Sequence, residues 1–254
     1  MGRCKEIIIK VIPSNIANDF VRKHHYSGKV VSNSQLHFGA FLDGKLHGVL
    51  QYGPSMDKKK SITLVKDTAW NGFIELNRMA FDDYLPRNAE SYCIGKTLRM
   101  IRKQAPHIEW VISFADGAQC GDGTIYRASN FVLTQINRNK SILRLPNGTT
   151  ISSTTITTNP RAEEIREACR DLGIPFVYRS VAEWKKLGAE YIEGFQLRYI
   201  YFLNPKARER LTCPILPFSE IDARGAGLYK GQRVTREERH EKKSDAQLKQ
   251  EATQ

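Results

Sequence analysis

With 254 residues, 41% of them hydrophobic, and ten Tyr, eleven Phe and three Trp, the chain carries enough core-forming side chains to exclude wholesale disorder. Its net charge of +12 and pI near 9.5 favour a polyanionic partner, nucleic acid first among them. Five cysteines, an odd number with no CxxC pair, exclude a disulfide framework and a zinc knuckle and point to a reducing cytoplasm.

The amino-terminal run MGRCKEIIIKVIP has too short an apolar stretch for a signal peptide, and Glu6 stands where N-myristoylation needs Ser or Thr. Residues 6–12 read as a β-branched strand. Ser14 is expected to cap a short helix carrying Ile16, Ala17, Phe20 and Val21, which stops in the polar run Lys23–Gly28. Strands at 36–42 and 46–52 flank Asp43-Gly44, a strong hairpin signal. Residues 53–72 read as irregular, with Lys58-Lys59-Lys60 a solvated loop in preference to a DNA contact. In IELNRMAF (74–81), alternation puts Ile74, Leu76, Arg78 and Ala80 on one face and Glu75, Asn77, Met79 and Phe81 on the other.

A basic amphipathic helix is expected over 91–104, ended by Pro106. IEWVISFA (108–115) is nearly all apolar, as in a strand buried within a sheet. A glycine-rich turn, 116–123, leads into a helix over 124–131. Strands follow near 131–136, 141–145 and 150–157, then a helix from Asn159-Pro160 to Leu172. A strand at 175–179 (PFVYR), a short helix over 181–187 and a strand at 195–203 complete the pattern. No stretch approaches the roughly 18 apolar residues of a membrane span, so no membrane partner is expected. After Phe218 the composition turns polar and charged, which divides the chain into a catalytic domain, 1–218, and a basic, disordered tail, 219–254. Interspersed strands and helices with hairpins imply an α+β fold, a central mixed sheet with helices on both faces.

The basic charge is unevenly spread. Residues 123–160 contain no Asp or Glu, yet they hold Arg127, Arg138, Lys140 and Arg144, which makes these four the candidate phosphate contacts. His25 and Tyr26 follow a helix end, where they could ligate a metal or handle protons; helix-terminal residues favoured by the helix dipole are the alternative. Glu75 could take a proton and Asn77 could act as donor and acceptor together toward a ligand, or both could simply line an exposed strand face. Arg78, pointing the other way, is either a buried ion-pair partner or an anion holder. Asp116 ends a buried strand, a place for a metal ligand or base, but an Asp before Gly117 also starts turns. Ser113 reads as a core serine and Cys120 as a bystander.

The strand, loop, basic helix, buried strand and helix of residues 75–131 resemble the core of the GNAT acetyltransferase superfamily. That likeness implies an acetyl-CoA or related donor held at the helix start, around Arg87, Asn88, Ser91, Gly95 and Lys96, with Tyr126 as general acid. The loop departs from the glycine-rich pattern: its first glycine is Gly95, and Glu90 opposes a phosphate. Six blocks in order, HHYSG (24–28), QYGP (51–54), ELNRMAFDDYLPRNAES (75–91), ISFAD (112–116), GTIYRASNF (123–131) and QLRYIYFL (196–203), together resemble the Mom family of phage DNA-modification proteins. The resemblance implies conversion of adenine N6 in double-stranded DNA to a carbamoylmethyl form, protection from host restriction, a host-cytoplasmic location and bound iron. His25, Tyr26 and Asp116 are then the metal candidates, and Tyr26, Glu75, Asn77, Asp116 and Tyr126 the catalytic ones. An ordinary GNAT N-acetyltransferase and a non-catalytic DNA-binding module are the competing readings. The oligomeric state, a homodimer included, stays open.

Overall fold

The computed structural model describes residues 3–116, 123–139, 141–226, 228–229 and 232–233. Lys140, Cys120, most of the 116–123 turn and residues 234–254 of the expected tail lie outside them. The described residues fall into two compact units, those within 1–114, 123–135 and 198–217 and those within 115–122, 136–197 and 218–254.

In chain order the elements are β1 (Ile8–Val11), α1 (Ser14–His24), β2 (Leu36–Leu42), β3 (Lys45–Gly53), α2 (Lys58–Ser61), β4 (Phe73–Phe81), α3 (Ala89–Gln104), β5 (Trp110–Asp116), α4 (Thr124–Ala128) and β6 (Val132–Asn139). They continue with β7 (Ile142–Arg144), β8 (Thr150–Ser152), α5 (Ser153–Thr158), α6 (Glu163–Asp171), α7 (Val181–Lys186), β9 (Glu190–Tyr191), β10 (Gly194–Phe202) and α8 (Ser219–Ala223). A two-stranded ladder of β11 (Leu228–Tyr229) and β12 (Gln232–Arg233) follows, so the segment read as tail contains short ordered pieces.

Seven strands form one sheet in the order β1-β2-β3-β4-β5-β10-β6. Pairing is antiparallel from β1 to β4 and parallel between β4 and β5. A parallel pair needs a crossover, and the amphipathic α3 supplies it. Side-chain alternation along β3 sends Val49 and Gln51 toward α1, where Val49 packs with Ala17 and Val21 and Gln51 bonds Asn18. It sends Tyr52 the other way, to the Thr97 hydroxyl of α3 at 2.6 Å. Helices therefore cover both faces of a mixed α/β sheet, as the patterning anticipated. On the parallel pair, Phe73 sits opposite Trp110, their rings stacked at 4.3 Å, in a core with Val65, Ile112, Ile200 and Ala207.

A polar chain ties the amino terminus to the loop before α3. The Arg3 guanidinium binds both Asp43 carboxylate oxygens (2.6 and 2.7 Å), Asp43 accepts from the Tyr84 hydroxyl (2.7 Å), and the Tyr84 ring stacks on His47, which bonds Asp82. The Cys4 thiol donates to the Arg87 carbonyl at 3.3 Å.

The second unit has its own core, in which Leu143, Leu145, Ile151, Ile156, Ile165, Cys169 and Trp184 are buried. Two strands expected there take other forms. Over 150–157 only Thr150–Ser152 is extended; the Ser152 hydroxyl accepts the Thr154 N–H and turns the chain into α5. PFVYR is not a strand. Arg179 donates to the Pro175 and Val177 carbonyls (2.8 and 3.3 Å), and the Val177 N–H turns back to Pro175. Those backbone groups are thus used locally, and Phe176, Val177 and Tyr178 stand exposed. Ser14 is the first residue of α1 rather than its cap; Pro13 takes the cap position.

Candidate active site

The strict alternation expected for β4 breaks at Asn77. Tyr52 faces Leu76 and Gln51 faces Arg78, so Asn77 is an extra residue, a β-bulge, and Glu75, Leu76 and Asn77 are all buried in succession. A bulge bends a strand and re-aims its side chains, which is why such features gather at functional sites. Here it turns Glu75 and Asn77 toward two loops that sequence gave no reason to place beside them, Asn33-Ser34 and Gly53-Pro54-Ser55.

Each contact there is specific. The Ser34 hydroxyl donates to Asn77 Oδ1 (3.1 Å), and Asn77 Nδ2 and Asn33 Nδ2 both donate to the Pro54 carbonyl (3.4 and 3.1 Å). Gly53 makes the approach possible: a Cβ on it would lie 2.6 Å from both the Asn33 carbonyl oxygen and Asn77 Oδ1. The Asn77 amide is thus engaged within the protein. Glu75 is 9% exposed, and its Oε2 has no hydrogen-bond partner. Burial pushes its pKa above the usual carboxylate range, against the pull of hydrogen bonds from Ser55, Asn77 and the Met56 backbone and of the nearby Arg78 charge.

Among the described residues Arg78 makes no ion pair beneath the sheet. It donates to the carbonyls of Lys29 (3.0 Å) and Asn77 (2.8 Å), and its charge acts on His25 as well as Glu75. The blocks HHYSG, QYGP and ELNRMAF therefore meet around one arginine. His25 Nδ1 lies 2.8 Å from the Ser27 hydroxyl and accepts the Ser27 N–H at 3.2 Å. Burial, then Arg78, pushes the His25 pKa down to about 4. Tyr26 stacks on His25 at 4.3 Å and is 59% exposed. His24 stacks on Phe20 one turn back, as a helix-end residue would.

The lowered His25 pKa has a sign. The unfolded ring, at 6.5, takes up a proton before the folded one does, so stability is lost as pH falls from about 6.5 toward about 4. We expect His25→Gln, which can still accept from Ser27, to remove about 2 kcal/mol of that loss, a figure discounted because the ring is partly exposed. Thermal melts of both proteins between pH 7.5 and 4.5 check this; parallel curves would contradict it.

A second polar group lies on the parallel pair. The β4–β5 register runs only from Phe73–Trp110 to Glu75–Ile112. Just beyond it, Ser113 reaches the Leu76 carbonyl (3.2 Å) and the Tyr126 hydroxyl (2.9 Å). Tyr126 stacks on Tyr199 at 4.9 Å and meets Phe131 edge-on. The blocks ISFAD, IYRASNF and QLRYIYFL thereby supply one cluster, in which Ser113 is the fully buried core serine expected and also bonds Tyr126. Gly123 is required there: its φ is +65°, and a Cβ would come within 2.7 Å of the Tyr199 ring.

Other candidates are placed as follows. Asp116 is the last residue of β5 and belongs to the second unit, half-buried. Arg127, Arg138 and Arg144 are exposed, and Arg138 lies 3.8 Å from the Glu193 carboxylate. Gln51 and His37 were not singled out. They sit opposite one another on β3 and β2, joined at 3.1 Å, with Gln51 also donating to Asn18. Ser55 was missed as well; only long-range packing brings it to Glu75.

Iron needs several donor side chains in one place. Among the described residues no three His, Cys, Asp or Glu side chains are so grouped, and His25 Nδ1 is engaged with Ser27. These residues do not fit the expected iron site. The start of α3 fits a pyrophosphate no better. Asn88 sits there in the left-handed region (φ 69°), the Ala89 N–H is taken by the Pro86 carbonyl, the Ser91 hydroxyl by Asn88, and Glu90 brings negative charge into the first turn. Lys96 Nζ rests over the Tyr92 ring at 5.4 Å, and Arg87 is exposed.

The chain thus joins a seven-stranded mixed α/β sheet to a buried carboxylate at a bulge and a serine–tyrosine pair beside a parallel crossover. Among solved structures, the fold is similar to the ribosomal-protein-S18-alanine N-acetyltransferase of Escherichia coli, with 9% identity and a TM-score of 0.43 over 78% of this chain and 94% of that one. It is also similar to a probable acetyltransferase of Staphylococcus epidermidis, with 12% identity and a TM-score of 0.43 over 77% and 98%. The chain belongs to the Mom protein family, whose profile matches residues 6–220. It is 35% identical over 212 residues to the methylcarbamoylase mom of Escherichia phage Mu, covering 83% of this chain and 81% of that protein. No helix among the described residues is long and apolar enough to cross a membrane.

Proposed function

We propose that the protein modifies adenine N6 in double-stranded DNA, with Glu75 as the general base, adding a carbamoylmethyl group in the cytoplasm of a phage host. The observation that carries this reading is the buried Glu75 carboxylate, with one oxygen unpartnered and its pKa raised by burial. An N6 amino group is a poor nucleophile because its lone pair is delocalised into the purine ring. A carboxylate with a raised pKa, held in place and kept from water, is a more effective acceptor for its proton.

The reaction balances as follows. The adenine, extruded from the stack, places N6 against Glu75 Oε2. N6 forms a bond to the CH2 carbon of a donor that carries a carbamoylmethyl group on a leaving group, and the bond from that carbon to the leaving group breaks with its electron pair. The N6 proton goes to Glu75, and the leaving group gains a proton from Tyr126, positioned by Ser113. Asn77 and Ser55 orient Glu75. Arg78 stabilises its ionised form and sets the Lys29 segment. Family membership, the methylcarbamoylase relative and the chain's basic charge support DNA as the substrate.

Tandem mass spectrometry of nucleosides from DNA of cells expressing the full chain tests the reading, since the added mass identifies the group. A modified deoxyadenosine is expected. Unmodified deoxyadenosine from folded, well-expressed protein, with donor supply and phage helper proteins present, would remove the proposal. Turnover of labelled acetyl-CoA without DNA would point instead to an ordinary N-acetyltransferase.

A further inference from the structure

The segment between β3 and β4 is expected from sequence to be irregular, with its lysine run solvated in preference to a DNA contact. Its bonding sets it at the edge of the site. Ser55 and the Met56 backbone N–H both hydrogen-bond the Glu75 carboxylate. The Ser55 hydroxyl meets that of Ser61 at 3.1 Å, which fixes α2 to the same loop, and Asp57 caps α2 by accepting the Lys60 N–H. The Met56 side chain, projecting from a residue whose backbone touches the base, is 82% exposed, and Trp70 is 54% exposed. Lys58 is occupied: its Nζ lies 4.5 Å from the Trp70 ring centroid and 3.1 Å from Asn71 Oδ1. Lys59 and Lys60 are exposed and make no salt bridge among the described residues.

We propose that this segment, 54–71, is the DNA-contacting edge of the active site: Met56 enters the base stack where the adenine leaves it, and Lys59 and Lys60 grip the phosphates beside it. The inference rests on the reading of DNA as substrate. An unbranched apolar side chain standing in water next to a buried carboxylate has little role in the fold. Apolar wedges of this kind part base steps in duplex DNA, and unpaired lysines release counterions from its backbone. Trp70, with a cation already on its ring, adds an amphipathic aromatic surface at the same edge. The charge of the two free lysines argues for duplex DNA over a second copy of this basic chain.

The test uses the full chain and a double-stranded oligonucleotide with 2-aminopurine next to a central adenine. Wild-type binding should raise the fluorescence as the stack opens. Met56→Ala should cut that rise at least threefold, and Met56→Leu should restore most of it. The Lys59→Ala/Lys60→Ala double variant should flatten the slope of log affinity against log salt by about 2, close to 0.9 per phosphate contact. Because these side chains are exposed, the fold should survive, as thermal melts will verify. Wild-type fluorescence and salt slope in both variants would overturn the proposal and leave DNA modification standing. A change of oligomeric mass with DNA binding untouched would overturn it in favour of a contact between copies. A wild-type chain that binds no duplex would overturn it together with the proposed function.

Discussion

Glu75→Gln should slow DNA modification by orders of magnitude and leave the fold as stable as before or more so. The two effects have one origin. The Glu75 carboxyl is buried with Oε2 unpartnered, and its pKa lies above the ordinary carboxylate value of 4.5. An acid whose folded pKa exceeds its unfolded one binds a proton more readily when folded. Its ionised form therefore costs stability, and that cost appears as pH rises through the unfolded and then the folded pKa. Glutamine has the same size, keeps an acceptor for Ser55, Asn77 and Met56, and carries no charge to desolvate. Its melting temperature at pH 7.5 should equal or exceed that of wild type. Without the base, the modification rate should fall by about 10²–10⁴-fold. In wild type the rate should rise with pH through an inflection above the usual carboxylate range, and in the variant it should not. A destabilised variant, or one with unimpaired modification, would contradict the assignment.

The second large effect is expected at Gly53, which makes no catalytic contact. A methyl group there would press on the Asn33 carbonyl, Asn77 Oδ1 and the Ser34 Cα at once, two of which are backbone atoms that cannot swing aside. We expect Gly53→Ala to cost about 1–3 kcal/mol in thermal or denaturant unfolding. Because it shifts the partners of Glu75, it should also lower modification by about 10²-fold. Gly95→Ala is the contrast. It lies within α3, and its Cβ would meet only Arg99 Nη1 at 3.6 Å. Alanine favours a helix by about 1 kcal/mol over glycine, so this variant should be more stable. Its activity should be unchanged, since nothing in the geometry of α3 uses the bare backbone at Gly95 to approach a phosphate. Loss of activity there would revive the start of α3 as the donor site.

These two residues show what was legible in the sequence. Glu75 could be singled out because the period of two places it on one strand face with Asn77. The hairpin at Asp43-Gly44, the crossover helix and the buried WVISFAD strand could be read from local pattern, since turn chemistry and periodicity are local. The reason Gly53 matters was not legible. It depends on Asn33 and Asn77 arriving from elsewhere in the chain, and on the extra residue at Asn77 that breaks the period of two. Asn77 looked like a base-reading side chain, and its amide instead holds two loops. PFVYR looked like a strand because its residues are apolar and β-prone, but the carbonyls it would have offered a ladder are held by Arg179. Ser113 and Tyr126 lie thirteen residues apart across a turn, and their contact at 2.9 Å depends on how α4 returns to the sheet.

The link from Arg3 through Asp43 and Tyr84 to His47, with Cys4 bonded to Arg87, has a practical side. Exposed ion pairs of this sort add little to the free energy of folding, so a protein damaged there would still purify and melt normally. The connection nevertheless sets where residues 82–88 run before α3. An affinity handle fused close ahead of Arg3 would compete with that link and let residues 82–88 shift without a visible change in melting. A handle set well clear of Arg3 by a flexible spacer leaves their path as it is.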